Sequence, residues 1–109
     1  MCGIAGFLGE TPYPEKCLSE MAQAIGHRGP DDSGIWFDDR EEIGFAHARL
    51  SILDLSAAGH QPMHSASNDY VIIFNGEIYN HRELRSELDS IPQRSWVGYS
   101  DTETLLAAI

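Results

Sequence analysis

Short runs of strand-forming residues fill the first half of the chain, and they constrain its fold more than any other feature. Three of these runs are CGIAGFL at 2–8, GIWF at 34–37 and IGFAHARLSIL at 43–53. A further apolar run, YVIIF at 70–74, predicts a fully buried strand that ends at Asn75-Gly76.

Helical patterns flank these runs. An amphipathic helix is predicted over 15–25, stopped by Gly26, and NHRELRSEL at 80–88 is also helical in character. SDTE at 100–103 and Asn80 with Glu83 resemble capping boxes, so a last helix should run from SDTE to Ile109. Segments 27–34 and 56–69 predict loops by their Gly, Pro and Asp content. Strands in the first half with helices at both ends favour a layered α+β fold over regular βαβ alternation.

Composition limits the classes of partner. The 109 residues, 42% apolar and 22% charged, fit one globular domain or part of one. A net charge of −10 repels nucleic acid and anionic membranes. No apolar run approaches a membrane span, and no secretory signal is visible. Two cysteines without C-x-x-C spacing favour a reducing, cytoplasmic location.

Cys2 is the first candidate for chemistry. A terminal residue is ordinarily frayed, and Cys often serves as a small hydrophobe. Removal of Met1 would instead leave Cys2 with both a thiol and a free α-amine. A nucleophile and its base would then share one residue. Cys2 would still need an oxyanion acceptor and a substrate clamp.

The corner Asn75-Gly76 is a candidate for the oxyanion acceptor. A strand that ends in Asn-Gly presents a side-chain amide beside a glycine N–H, which a substrate oxygen can approach closely. The competing interpretation is structural, because Asn-Gly is also the commonest tight hairpin turn.

Two charged residues are candidates for the clamp. Arg49 suits a carboxylate ligand, and the competing interpretation is a surface or interface ion pair. Asp101 starts a predicted helix, where an acid is favourable without any ligand. Arg28, in a Gly-Pro loop, could hold another segment in place. His60 and His64 are four residues apart, but Pro62 between them argues against a helical metal-ligand pair, and no metal is expected.

Five collinear segments together resemble the class II glutamine amidotransferases, and most closely the glutaminase domains of glutamine-hydrolysing asparagine synthetases. The segments are MCGIAGF, HRGPDDSG, HARLSILDLSAAGHQPM, FNGEIYNHRELRSEL and SDTETLL. They cover almost the whole chain. The resemblance implies an N-terminal-nucleophile hydrolase fold, an αββα sandwich of two antiparallel sheets between helical layers, here expected to be incomplete.

The resemblance also implies roles for individual residues. Cys2 would be the nucleophile with its own amine as base, and Asn75 and Gly76 would form the oxyanion hole. Arg49 would bind the glutamine α-carboxylate and Asp101 the α-ammonium. The remaining pocket residues would be Leu50, Ser51, Ile52, Leu53 and Glu77. The resemblance assigns no role to Gln61, Pro62 or Met63.

The implied reaction is glutamine hydrolysis through a Cys2 thioester, with the ammonia used for ATP-dependent amidation of aspartate. Residues 1–109 would be the N-terminal part of the glutaminase domain. The rest of that domain and an ATP- and Mg-dependent synthetase domain would lie outside them. No cofactor is expected in this segment; the expected partners are glutamine and the synthetase domain, and a homodimer is compatible with the resemblance. Two alternatives stay open: an amidotransferase with another carboxylate acceptor, and an inactive truncated fragment.

Overall fold

A three-stranded antiparallel sheet organises the first half of the chain. The computed structural model describes residues 1–92 and 95–109. The sheet contains β1 (Gly3–Leu8), β2 (Asp32–Asp38) and β3 (Ile43–Arg49) in the order β1-β3-β2. Its central strand, β3, pairs with β2 over its full length and with β1 over Ile43–Ala48. The predicted strands at 2–8 and 34–37 are therefore confirmed.

One face of this sheet packs against helix α1 (Pro14–Ala24), the helix predicted over 15–25. Small residues on the sheet allow this close approach, since Leu18 of α1 and Ala46 and Ala48 of β3 are all fully buried. A Cβ added to Gly44 would lie 3.0 Å from the Leu18 side chain. The core therefore lies between α1 and the sheet.

The opposite face of the sheet is apolar and more open. Because side chains alternate along a strand, Ile4 and Leu8 of β1 share this face with Ile43 and Phe45 of β3. Ile4 and Leu8 are exposed. Ile73 borders a shallow depression of about 570 Å³ on this face.

Strand β3 ends earlier than the run 43–53 predicted. After Arg49 the chain turns, because the Arg49 guanidinium donates to the main-chain oxygens of Asp54 and Ser56. The Asp54 carboxylate reinforces the turn by accepting from the Ser56 N–H at 2.8 Å. The prediction of strand through Leu53 is wrong for this reason.

The fully buried strand predicted at 70–74 is also wrong. A second antiparallel sheet consists of β4 (Met63–His64) and β5 (Val71–Ile72), and both residues of β5 are only partly buried. Since β4 has two residues, the ladder stops at Ile72 and cannot include Phe74. The apolar residues of 70–74 therefore indicate partial burial of individual side chains and not a continuous strand.

The predicted loops at 27–34 and 56–69 are only partly loops. A 3₁₀ helix occupies Gly26–Arg28 and strand β2 begins at Asp32. A second 3₁₀ helix occupies Ala57–Gly59, and β4 lies within the other segment. Gly, Pro and Asp marked the breaks between elements correctly, but not these short elements.

Two further helices follow the second sheet, α2 (His81–Leu88) and α3 (Asp101–Ala108). Ser100 caps α3, because its hydroxyl accepts from the Glu103 N–H. The capping box predicted at Asn80 is wrong, since its side chain makes no capping hydrogen bond and its backbone lies at φ −98°, ψ 22°. Arg85 of α2 joins the helices by donating to Thr104 Oγ1 at 2.9 Å. None of the helices within the described ranges is long and apolar enough to cross a membrane.

The described chain is thus α+β, with two antiparallel sheets and three α-helices. This agrees with the predicted fold class.

Candidate active site

A cavity of about 230 Å³ lies where four distant segments meet. They are the chain start, the segment after β3, the segment after β5 and the start of α3. Pockets for drug-sized ligands are about 300 to 1,000 Å³, so this volume suits a ligand the size of one amino acid. The cavity is lined by Met1, Cys2, Arg49, Leu50, Ile52, Leu53, Asp54, Gly59, Gln61, Phe74, Asn75, Gly76, Glu77, Ser100, Asp101 and Thr102.

Cys2 is held at the cavity wall by hydrogen bonds with Leu50 and Arg28. Its sulfur accepts from the Leu50 N–H at 3.3 Å and lies 3.7 Å from the Leu50 carbonyl oxygen. Arg28 donates from Nε to the Cys2 carbonyl oxygen at 3.1 Å. Cys2 is therefore not frayed, and Arg28 holds another segment as the sequence suggested.

Arg49 reaches the cavity from the end of β3. Its side chain is 7% exposed, and its guanidinium donates to two main-chain carbonyls, with 2.8 Å between Nη1 and the Ser56 oxygen. The surface ion pair considered as the alternative is absent among the described residues. A guanidinium carries five N–H donors, so donors remain for a carboxylate in the cavity.

Asn75 and Gly76 face the same cavity as Cys2. No strand follows this corner directly in the described part of the chain, so it is not a hairpin turn. The Asn75 side-chain amide makes no hydrogen bond to a described residue. A Cβ at Gly76 would lie 2.7 Å from the Phe74 ring, so a larger residue here would require the ring to shift.

Asp101 is the first residue of α3 and is 7% exposed. Its Oδ2 accepts from the Ile78 N–H at 2.9 Å. The carboxylate therefore links α3 to the segment that follows Gly76. Asp101 and Arg49 carry opposite charges and line the same cavity. This arrangement suits a zwitterionic ligand.

The other predicted pocket residues divide into two groups. Leu50, Ile52, Leu53 and Glu77 line the cavity. Ser51 is not among the lining residues, and its N–H donates to Asp31 Oδ2 at 2.8 Å.

Several lining residues were missed by the sequence reasoning. Asp54 accepts from the Ser56 hydroxyl and from the Tyr99 N–H, and these bonds hold the pKa of its carboxyl below the ordinary value. The Gln61 side chain donates a hydrogen bond to the Thr102 hydroxyl. These two residues are 41 positions apart, and no local sequence pattern predicts a contact over that separation.

The histidine pair does not form a metal site. His60 Nδ1 lies 2.6 Å from Asp32 Oδ2, whereas the His64 ring packs edge-on against Trp36. Within residues 1–92 and 95–109, no three His, Cys, Asp or Glu side chains are grouped so that they could hold a metal.

Comparison with known families gives a match over the whole chain. Residues 1–109 match the model of a glutamine amidotransferase domain.

Individual relatives give the same result. The chain is 44% identical to glutamine-hydrolysing asparagine synthetase 1 of Bacillus subtilis and 43% identical to asparagine synthetase B of Escherichia coli, with 98% of the chain covered in both cases. It is also 34% identical to amidase chry2 of Gibberella zeae, again over 98% of the chain. The chain spans 17% to 19% of the length of these relatives.

Proposed function

Since the chain belongs to the glutamine amidotransferase domain family, we propose that its cavity hydrolyses glutamine to glutamate and ammonia. The observation that supports this proposal best is the single cavity lined by Cys2, Arg49, Asn75, Gly76 and Asp101. A nucleophile, two oxyanion donors and two opposite charges there meet the requirements of amide hydrolysis on an amino acid.

The proposed reaction begins at the Cys2 sulfur. The thiolate attacks the side-chain amide carbon, and the Asn75 amide and the Gly76 N–H stabilise the oxyanion. The protonated α-amine of Cys2 returns a proton to the leaving nitrogen, so ammonia departs and a γ-glutamyl thioester remains. Water then hydrolyses the thioester, which avoids direct attack of water on a poor electrophile.

This role of the amine requires removal of Met1. Met1 lines the cavity, and its peptide bond occupies the nitrogen of Cys2. Its removal would free the base and enlarge the space beside the sulfur.

Selectivity for glutamine is assigned to the charges. Arg49 would bind the α-carboxylate through the donors that its backbone contacts leave available, and Asp101 would bind the α-ammonium. Leu50, Ile52, Leu53 and Glu77 would complete the pocket around the substrate. Amides without the amino-acid head should therefore react slowly.

We further propose that residues 1–109 are the N-terminal part of a glutaminase domain whose ammonia serves asparagine synthesis. The named asparagine synthetases at 43% and 44% identity support this acceptor. The ATP and Mg²⁺ of that reaction would bind in a synthetase domain outside this chain.

The test replaces Cys2 by Ser in the full-length protein. Ammonia release from glutamine should fall by at least about 10⁴-fold, because the serine hydroxyl is a far weaker nucleophile than the cysteine thiolate. Asparagine synthesis from free ammonia should persist. The control is Cys17→Ser, on helix α1 and outside the cavity lining, which should keep full activity. Unchanged glutaminase activity in Cys2→Ser would refute the proposal.

A second candidate function is supported by amidase chry2 and by amidase chyE of Penicillium rubens, the latter 38% identical over 98% of the chain. In this alternative the same cavity supplies ammonia to a different acceptor. Aspartate-dependent release of AMP and pyrophosphate by the full-length protein supports asparagine synthesis. Glutamine hydrolysis without this aspartate dependence supports the alternative.

A further inference from the structure

Gln61 spans two walls of the cavity with one buried side chain. It is 6% exposed, its Oε1 accepts from the Phe74 N–H at 2.6 Å, and its Nε2 donates to Thr102 Oγ1 at 3.1 Å. The orientation of the amide is determined chemically. A flipped amide would place an NH₂ group against the Phe74 N–H, donor against donor.

Each of the two residues that form a hydrogen bond with the Gln61 amide is adjacent in sequence to a residue proposed to contact the substrate. Phe74 precedes Asn75, and Thr102 follows Asp101. The Gln61 amide therefore joins the oxyanion corner to the carboxylate proposed for the α-ammonium. These are the walls that would contact opposite ends of a bound glutamine.

The oxyanion corner has little other support from regular structure. The β4–β5 ladder ends at Ile72, so within residues 1–92 and 95–109 no strand partner binds the backbone of Phe74. On its carbonyl side Phe74 faces His47, which is fully buried with Nε2 3.4 Å from the Phe74 oxygen. Both main-chain polar groups of Phe74 thus depend on buried side chains.

We propose that Gln61 is a positioning residue that fixes the spacing between the Asn75-Gly76 corner and Asp101 to the length of glutamine. This inference rests on the function proposed above. If the spacing is fixed, an analogue one methylene shorter cannot engage both walls together. Loss of the link should lower reactivity toward the correct length more than toward the shorter one.

The test uses chloromethyl ketone analogues in the full-length protein after removal of Met1. One analogue has the length of glutamine and the other is one methylene shorter. Cys2 displaces chloride and forms a carbon–sulfur bond, which mass spectrometry of the N-terminal peptide quantifies. Iodoacetamide, which has no amino-acid head, reports the reactivity of the thiol alone.

Two variants remove the link from either end. Gln61→Met keeps the side-chain length without hydrogen bonds, and Thr102→Val replaces the hydroxyl by a methyl group of similar size. Both should slow labelling by the glutamine-length analogue about tenfold to a hundredfold, with less effect on the shorter analogue. Labelling by iodoacetamide should change less than about threefold, because neither change touches the thiol. Thr102→Ser keeps the hydroxyl and should retain the wild-type selectivity.

The outcomes separate the inference from the function on which it rests. Wild-type length selectivity in Gln61→Met overturns the positioning role and leaves glutamine hydrolysis standing. If Gln61→Met fails to fold, the two Thr102 variants decide. Reduced length selectivity in Thr102→Val but not in Thr102→Ser supports the positioning role. Equal length selectivity in both variants overturns it. Wild-type protein that the glutamine-length analogue does not label at Cys2 contradicts the proposed function itself.

Discussion

The position of the Arg49 guanidinium depends on the absence of a side chain at Gly59. The guanidinium lies against Gly59, where an added Cβ would come within 2.6 Å of Arg49 Cζ. The main-chain oxygens of Asp54 and Ser56 accept hydrogen bonds from the same guanidinium. The proposed carboxylate clamp therefore depends on glycine at position 59.

Gly59→Ala should displace this guanidinium. A hydrogen bond to a charged group contributes about 1.5–3 kcal/mol, so the KM for glutamine should rise about tenfold to a hundredfold. Steady-state glutaminase kinetics on the full-length protein measure this. Gly26→Ala is the control, since a Cβ there meets no atom within 4 Å. An unchanged KM in Gly59→Ala would contradict the dependence of the proposed carboxylate clamp on Gly59.

His47 predicts a dependence of stability on pH. Desolvation by burial lowers the pKa of His47 most, and the nearby His60 and Arg49 lower it further, against opposing effects of the Phe74 carbonyl and Asp32. The folded pKa is thus below the unfolded value of about 6.5. In the window between them the unfolded chain binds more protons, so stability rises as pH increases toward 6.5.

Unfolding measured between pH 5 and 7 checks this, together with NMR titration of the imidazole. His47→Gln should have a flatter stability–pH curve than wild type. His27→Gln, at an exposed position, serves as the matched control and should keep the wild-type slope. Equal slopes in His47→Gln and wild type would contradict the prediction.

At the scale of elements, the two later helices begin differently although both carry a capping residue in the sequence. The Ser100 hydroxyl accepts from the Glu103 N–H, whereas the Asn80 side chain makes no capping bond. Glu103 does not complete a reciprocal box, because its carboxylate accepts from the Val97 and Gly98 N–H groups. The local sequence identifies where a helix starts. The backbone conformation of the residue before the helix decides whether its side chain forms the cap.

Ser100→Ala should reduce the free energy of unfolding by about 1 kcal/mol, because the cap of α3 is lost. Since Asp101 is the first residue of this helix, the affinity for glutamine should fall as well. Asn80→Ala should change neither quantity measurably. Denaturant unfolding and glutamine titration of the inactive Cys2→Ser protein measure both. Equal effects of the two substitutions would show that the cap contributes nothing.

At the scale of the whole molecule, the cavity depends on contacts between residues far apart in sequence. Cys2 bonds to Leu50 across 48 positions, and Asp54 bonds to Tyr99 across 45. Helix α1 lies on the sheet and contributes no lining residue. Ligand binding should therefore affect the segments after β3, after β5 and at the start of α3 together and leave α1 unchanged.

Hydrogen exchange of Cys2→Ser protein with and without glutamine tests this coupling. Glutamine should slow exchange at 50–54, 74–77 and 100–103 together, since each segment borders one cavity. Residues 14–24 serve as the internal reference. Protection confined to one of the three segments would contradict a shared site.

The α+β class could be predicted from the sequence, because alternation and helical spacing are local consequences of burying one face of an element. The segment 70–74 was misjudged for a related reason. Its apolar residues indicate burial, but whether they form a strand depends on a partner, and β4 is only two residues long. Helix α1 needed no such partner to satisfy its own backbone, and its prediction was accurate.

The sequence by itself determined the family and the candidate residues, since short motifs around Cys2, Arg49, Asn75 and Asp101 carry that information locally. Only the tertiary structure decided that these residues share one cavity and that Gln61 links two of its walls. The physical reason is that hydrogen bonds between distant segments depend on how the chain packs, and no periodicity along the chain records that packing.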